Sequence, residues 1–258
     1  MTRIGYQLSS LKPKLTTPEE VREALERLGA MGCTTLQVQW VHPSVPDEAV
    51  AEALRDNGMT CLGVQDKFPA VRESWDRMVN QNRLWGGTDL CISGIPAQDM
   101  TLPGLERYAG ELTAMAERLA EEGMTLSFHP VWADYAPVEG ISALDRLLET
   151  VPRMGLTLCV YHVVKAGRDP VELLEKYRGR VGVIHCKDYQ PGEDGDVLIP
   201  TGQGVVDWPP VLAACRRNGV SYALIEQERW EKDPFRCAWE SLEYLRAQGL
   251  ETEKQGQF

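Results

Sequence analysis

The sequence predicts a (β/α)8 TIM barrel, an α/β fold. Three observations carry this. Eight short, largely apolar runs recur along the 258 residues, helical stretches lie between them, and polar residues gather where the runs end. Alternating strands and helices imply parallel strands with right-handed crossovers. About 250 residues is the usual size for eight such units. Residues 1–250 are expected to form one barrel, with residues 251–258 a frayed C-terminal tail. A doubly wound open sheet is the rival. It is weaker because Tyr6-Gln7-Leu8-Ser9-Ser10, after the first run, is not a glycine-rich phosphate loop.

The expected strands are 3–9, 34–40, 59–65, 88–94, 124–129, 156–161, 181–186 and 221–226. The helices between them have readable starts. Thr17-Pro18-Glu19-Glu20 combines an N-cap, proline at the first position and a capping-box glutamate. Val21, Leu25 and Leu28 follow at helical spacing. Asp169-Pro170 opens a helix with Leu173, Leu174 and Tyr177, and Asp233-Pro234 opens the last one. Gly58, Gly123 and Gly219 stand where helices should stop before the next strand.

Composition bounds the function. Lys and Arg number 27 against 38 Asp and Glu, a net charge of −11. That balance argues against a nucleic-acid groove and against docking on anionic lipid. No apolar run is long enough to span a bilayer. The seven cysteines cannot all pair and several sit in apolar runs, so a reducing, cytoplasmic setting is expected.

In a parallel barrel the catalytic face lies beyond the strand ends. All four histidines, His42, His129, His162 and His185, fall at or just after expected strand ends. Glu226 and Glu228 end the eighth strand, two residues apart and so on one face of it. Lys187 and Asp188 follow His185, and Asp134 lies five residues after His129. Gln7 lies on strand one, and Gln37 and Gln39 on strand two. Histidine, carboxylate and thiolate converging from separate strands suggest a divalent metal that polarises substrate oxygens. His42 is read as fixing its loop, and loop 192–204 as either a lid or a surface loop.

Five segments, in order along the whole chain, resemble the sugar phosphate isomerase/epimerase family of xylose isomerase-like TIM barrels. They are Ile4-Gly5-Tyr6-Gln7-Leu8-Ser9-Ser10-Leu11, Ala166-Gly167-Arg168-Asp169-Pro170, Ile184-His185-Cys186-Lys187-Asp188, Gly202-Gln203-Gly204-Val205-Val206-Asp207-Trp208 and Ile225-Glu226-Gln227-Glu228. The resemblance implies one divalent ion held by residues after strands five to eight. His185 and Glu226 carry over as ligands. Cys159 stands where the family has Asp, and either Asp134 or His129 replaces the strand-five Glu. His162 matches a substrate-binding histidine, and Gln37 replaces a frequent Glu. Sulfur at Cys159 favours Zn over Mn, Mg or Co.

The expected activity is therefore metal-assisted proton transfer next to the carbonyl of a sugar or polyol, by an isomerase or epimerase with no redox cofactor. Glu226 with Asp134 or His129 would move the proton. Lys187 would steady developing charge. His162, Gln7, Gln37 and Trp132 would contact the carbohydrate. The same carbanion could lose a neighbouring hydroxyl, which makes a dehydratase of a keto-sugar or keto-inositol the alternative. A metal-free carbohydrate-binding barrel is a further one. The expected partner is a small carbohydrate, with a homo-oligomer compatible.

Overall fold

The computed structural model describes residues 1–253. Eight parallel strands close into a barrel: β1 (Arg3–Gln7), β2 (Thr35–Val38), β3 (Thr60–Lys67), β4 (Asp89–Ser93), β5 (Thr125–His129), β6 (Gly155–Cys159), β7 (Val181–Cys186) and β8 (Tyr222–Ile225). Closure comes from β8 pairing with β1, Arg3 beside Tyr222 and Tyr6 beside Ile225. All eight expected strands form. Between barrel and helices runs one continuous apolar layer that includes Ile4, Leu36, Leu90, Phe128, Leu158, Ile184 and Ala223.

The helix starts read from sequence are capped as expected. The Thr17, Asp169 and Asp233 side chains accept from the backbone N–H groups of Glu20, Val171 and Arg236. Gly219 ends the helix Trp208–Asn218 at φ 75°, where a side chain would be strained. Several strands stop short of their expected ends: β1 at Gln7, β2 at Val38 and, with most consequence, β6. Strand β6 stops at Cys159, and Tyr161 and His162 belong to the helix Val160–Lys165. Thr157 and Leu158 favour a strand, but the N–H of Ala166 bonds back to the His162 carbonyl and draws the following segment into a turn of helix.

The tail is also more ordered than expected. Glu251 and Thr252 run parallel to the start of β1, beside Arg3 and Ile4. They have room because β2 pairs with β1 only at Tyr6 and Gln7. The Glu253 carboxylate accepts from Arg3, Thr35 and Tyr222. Residues 254–258 of the expected tail lie outside the described residues. All seven cysteines are free and buried. Among the described residues, no helix is long and apolar enough to cross a membrane.

Candidate active site

Successive residues of a strand point to opposite faces. Here the inward set at the strand ends is polar: Gln7, Gln37, Gln65, Ser93, His129, Cys159, His185 and Glu226. Parallel register sets their heights. Cys159 stands level with His185 across β6 and β7, and Ser93 level with His129 across β4 and β5. Glu226 follows immediately after β8.

Four of these converge. One donor atom each from His129, Cys159, His185 and Glu226 lies within 4.8 Å of all the others, and all four residues are buried. His185 Nδ1 is 3.3 Å from Glu226 Oε2, and Cys159 Sγ is 3.7 Å from the same oxygen. The imidazoles are held from behind. Gln37 Oε1 accepts from His185 Nε2 at 2.8 Å and from Gln7 Nε2 at 2.8 Å. A carbonyl oxygen only accepts, so Nε2 carries the hydrogen and the Nδ1 lone pair faces Glu226. His129 Nδ1 meets Ser93 Oγ at 2.9 Å, while its Nε2 is buried without a partner.

The unpartnered ring nitrogens of His129 and His185 face the same small space as the Glu226 carboxylate, an arrangement that a cation would satisfy. The donor set fits a divalent cation. Nitrogen, sulfur and carboxylate oxygen in one group suit Zn, and Gln37 and Ser93 supply the outer hydrogen bonds that orient metal-ligating histidines.

Of the alternatives left open at strand five, His129 joins the group and Asp134 does not. Asp134 Oδ1 accepts from Ile95 N at 3.1 Å and Oδ2 from Val131 N at 2.8 Å. Both oxygens are spent tying the turn Trp132–Tyr135 to the loop after β4. Gln7 and Gln37, expected to contact the carbohydrate, are engaged with each other. The Gln37 oxygen also accepts from His185, so the pair supports that imidazole. Trp132 sits on the outer rim with 52% of its surface exposed, outside the group.

Lys187 and His162 flank the four donors. Lys187 Nζ lies 3.7 Å from Glu226 and 2.7 Å from Glu228, over the Tyr161 ring. Burial works against its charge, but the two carboxylates outweigh that and hold its pKa above the usual lysine range. For Glu226 burial raises the pKa, yet the Lys187 ammonium wins, keeping it well below the ordinary carboxylate range. His162 stands edge-on to His129, ring centres 5.5 Å apart, with Nδ1 buried and unpartnered. Burial first, then the Lys187 charge, lower its pKa to about 4, so it is neutral at pH 7. Burial, helped by the neighbouring imidazoles, also drives His129 well below its normal value.

Asp188 has a structural task. Its carboxylate accepts from the backbone N–H groups of Tyr189, Gly202, Gly204 and Val206 and from Trp208 Nε1. Loop 192–204 contains the return strand of a hairpin that pairs Asp188–Gln190 with Val197–Ile199. At its tip Asp196 meets Tyr161 and Lys165, and its carbonyl accepts from Arg229. His42 fixes its loop as expected, its Nδ1 meeting Ser44 Oγ and N. Sequence reasoning missed Ser93 and Gln65. Each is an inward polar residue near the end of an apolar strand, and that alternation was the available signal.

The profile of the xylose isomerase-like TIM barrel family matches residues 6–248. The chain belongs to this family. Among similar proteins, the rhizopine catabolism protein MocC of Rhizobium meliloti is 32% identical over 145 residues, 50% of this chain and 43% of that protein. An inosose dehydratase of Lacticaseibacillus casei is 26% identical over 162 residues, 55% of this chain and 54% of that protein. The chain thus matches about half the length of these relatives. A sugar phosphate isomerase/epimerase structure from Parabacteroides distasonis superimposes with a TM-score of 0.79 at 18% identity, covering 95% of this chain and 94% of that one.

Proposed function

We propose that the protein is a divalent-metal-dependent enzyme that removes a proton next to the carbonyl of a keto-polyol and then expels a neighbouring hydroxyl, a dehydratase of the keto-inositol type. The observation that carries this is the four-donor group with its unpartnered imidazole nitrogens. His129, Cys159, His185 and Glu226 would hold the ion, and Zn suits the sulfur. When bound, the ion supplies Lewis acidity to substrate oxygens.

The chain's own residues do the rest. His162, neutral at pH 7 and unpartnered at Nδ1, accepts the proton from the carbon beside the carbonyl. The Lys187 ammonium steadies the negative charge that develops on the carbonyl oxygen. His162 then returns its proton to the departing hydroxyl, so water leaves and no proton is gained or lost. An epimerase needs a base on each face of the substrate. With Asp134 tied to backbone N–H groups and Glu226 among the four donors, His162 is the one base assigned, which favours elimination over a two-base epimerisation. The dehydratase relatives point the same way.

The test is metal content and turnover together. The purified protein should carry about one equivalent of divalent metal and convert a keto-inositol to a dehydrated product with new ultraviolet absorbance. Glu226→Gln and His185→Ala should lose the metal and slow turnover by about 100-fold or more. Unchanged metal content and turnover in both variants would remove the proposal. A ketose epimerised without water loss would restore the isomerase reading.

A further inference from the structure

A cleft of about 270 Å3 opens beside the strand ends of β2 and β3. Gln39, Trp40, Gln65, Asp66 and Arg77 line it, and the helix Trp75–Trp85 forms its far wall. Gln65 lines this cleft and is joined to the donor group through two other amides. Its Oε1 lies 3.5 Å from Gln7 Nε2, which leads through Gln37 to His185. Its Nε2 is buried and has no partner.

The lining has a particular chemistry. Trp40 is half-buried, with the Lys12 ammonium 4.6 Å from its ring centre and His42 edge-on at 6.0 Å. Asp66 accepts from Lys67 N through one oxygen. Arg77 is taken up by Asp47 at 3.2 Å, so it is no anion clamp. Asp47 and Arg77 neutralise each other, which leaves the Asp66 carboxylate as the remaining charge of the lining. An aromatic face beside amide and carboxylate groups suits a neutral ring with apolar C–H faces and hydroxyl edges. The volume is at the small end for ligand pockets and holds one such ring.

We propose that the substrate is a two-unit compound: a reacting keto-polyol at the four-donor group, and an uncharged sugar-like ring bonded to it and seated in this cleft past Gln65. This rests on the function proposed above and deepens it, because it narrows the substrate class to a glycoside.

Calorimetry with defined probes tests it. D-fructose and myo-inositol are the one-unit ligands. Turanose, maltulose, leucrose and palatinose place a glucosyl ring on different fructose hydroxyls, and galactinol is the corresponding glycosyl inositol. At least one glycoside should bind at least about tenfold more tightly than its parent. Trp40→Ala and Asp66→Asn should each bring that ratio towards one, and Trp40→Phe should restore most of it. Circular dichroism checks that each variant folds. No glycoside outbinding its parent, or a ratio that survives in both variants, overturns the proposal. The measurement is repeated after metal removal. A glycosyl preference without metal-dependent turnover keeps the cleft and sinks the proposed function, and turnover without the preference does the reverse.

Discussion

Cys159 shows how one atom sets the behaviour of a site. Burial pushes its thiol well above the ordinary range, and the Glu226 charge adds to that, so the sulfur is protonated at neutral pH in the absence of a cation. A metal ion must displace that proton. Each unit of acidification makes the competing proton tenfold more abundant, so zinc affinity should fall by about one decade per pH unit between pH 8 and 6. His129 is held neutral and adds little to that slope. Cys159→Asp should flatten it and move the preference from zinc towards Mn or Mg, as competition titrations would reveal. A pH-independent zinc affinity in the native protein would rule the thiolate out as a ligand. Asp134 should behave in the opposite way. Asp134→Ala leaves two buried N–H groups without acceptors and should cost about 2–4 kcal/mol in denaturant unfolding, with metal content unchanged. His185 and Glu226 were legible in the sequence because each lies in a short motif at a strand end. The choice between His129 and Asp134 was not, since it depends on which side chain the turn Trp132–Tyr135 uses for its own backbone.

Segments show the same division between local and distant causes. Helix starts at Thr17, Asp169 and Asp233 were readable because a cap is satisfied within three residues. The end of β6 was not, because it is set by hydrogen bonds that form only once Val160–Lys165 turns. The segment around Gly202 and Gly204 was recognisable as a motif, but its purpose came from packing. A side chain at Gly204 would stand 2.1 Å from Asp188 Oδ1, so the backbone approaches that carboxylate as closely as only glycine allows. Asp188→Ala removes the acceptor for five donors at once. It should cost about 3 kcal/mol or more and loosen residues 202–208, seen as faster amide exchange there while β1 to β5 stay protected.

Over the molecule as a whole, the barrel is fastened where its ends meet. Glu253 joins Arg3 of β1, Thr35 of β2 and Tyr222 of β8 at the face opposite the candidate active site. Glu253→Ala should lower stability by about 1–2 kcal/mol and leave metal affinity unaltered. A loss of metal in that variant would mean the two faces are coupled. The closed eight-stranded plan was legible from periodicity alone, whereas this fastening depends on a register between distant residues. The four donor atoms all come from β5 to β8 and the residue after it, and the cleft is lined from β2 to the helix before β4. The donor group and the cleft therefore occupy separate halves of one chain, linked by the hydrogen bond from His185 to Gln37; on the proposals above, chemistry would belong to one half and recognition to the other. A lineage could exchange its first half by recombination and acquire a new diet while keeping its reaction, provided an acceptor remained at position 37.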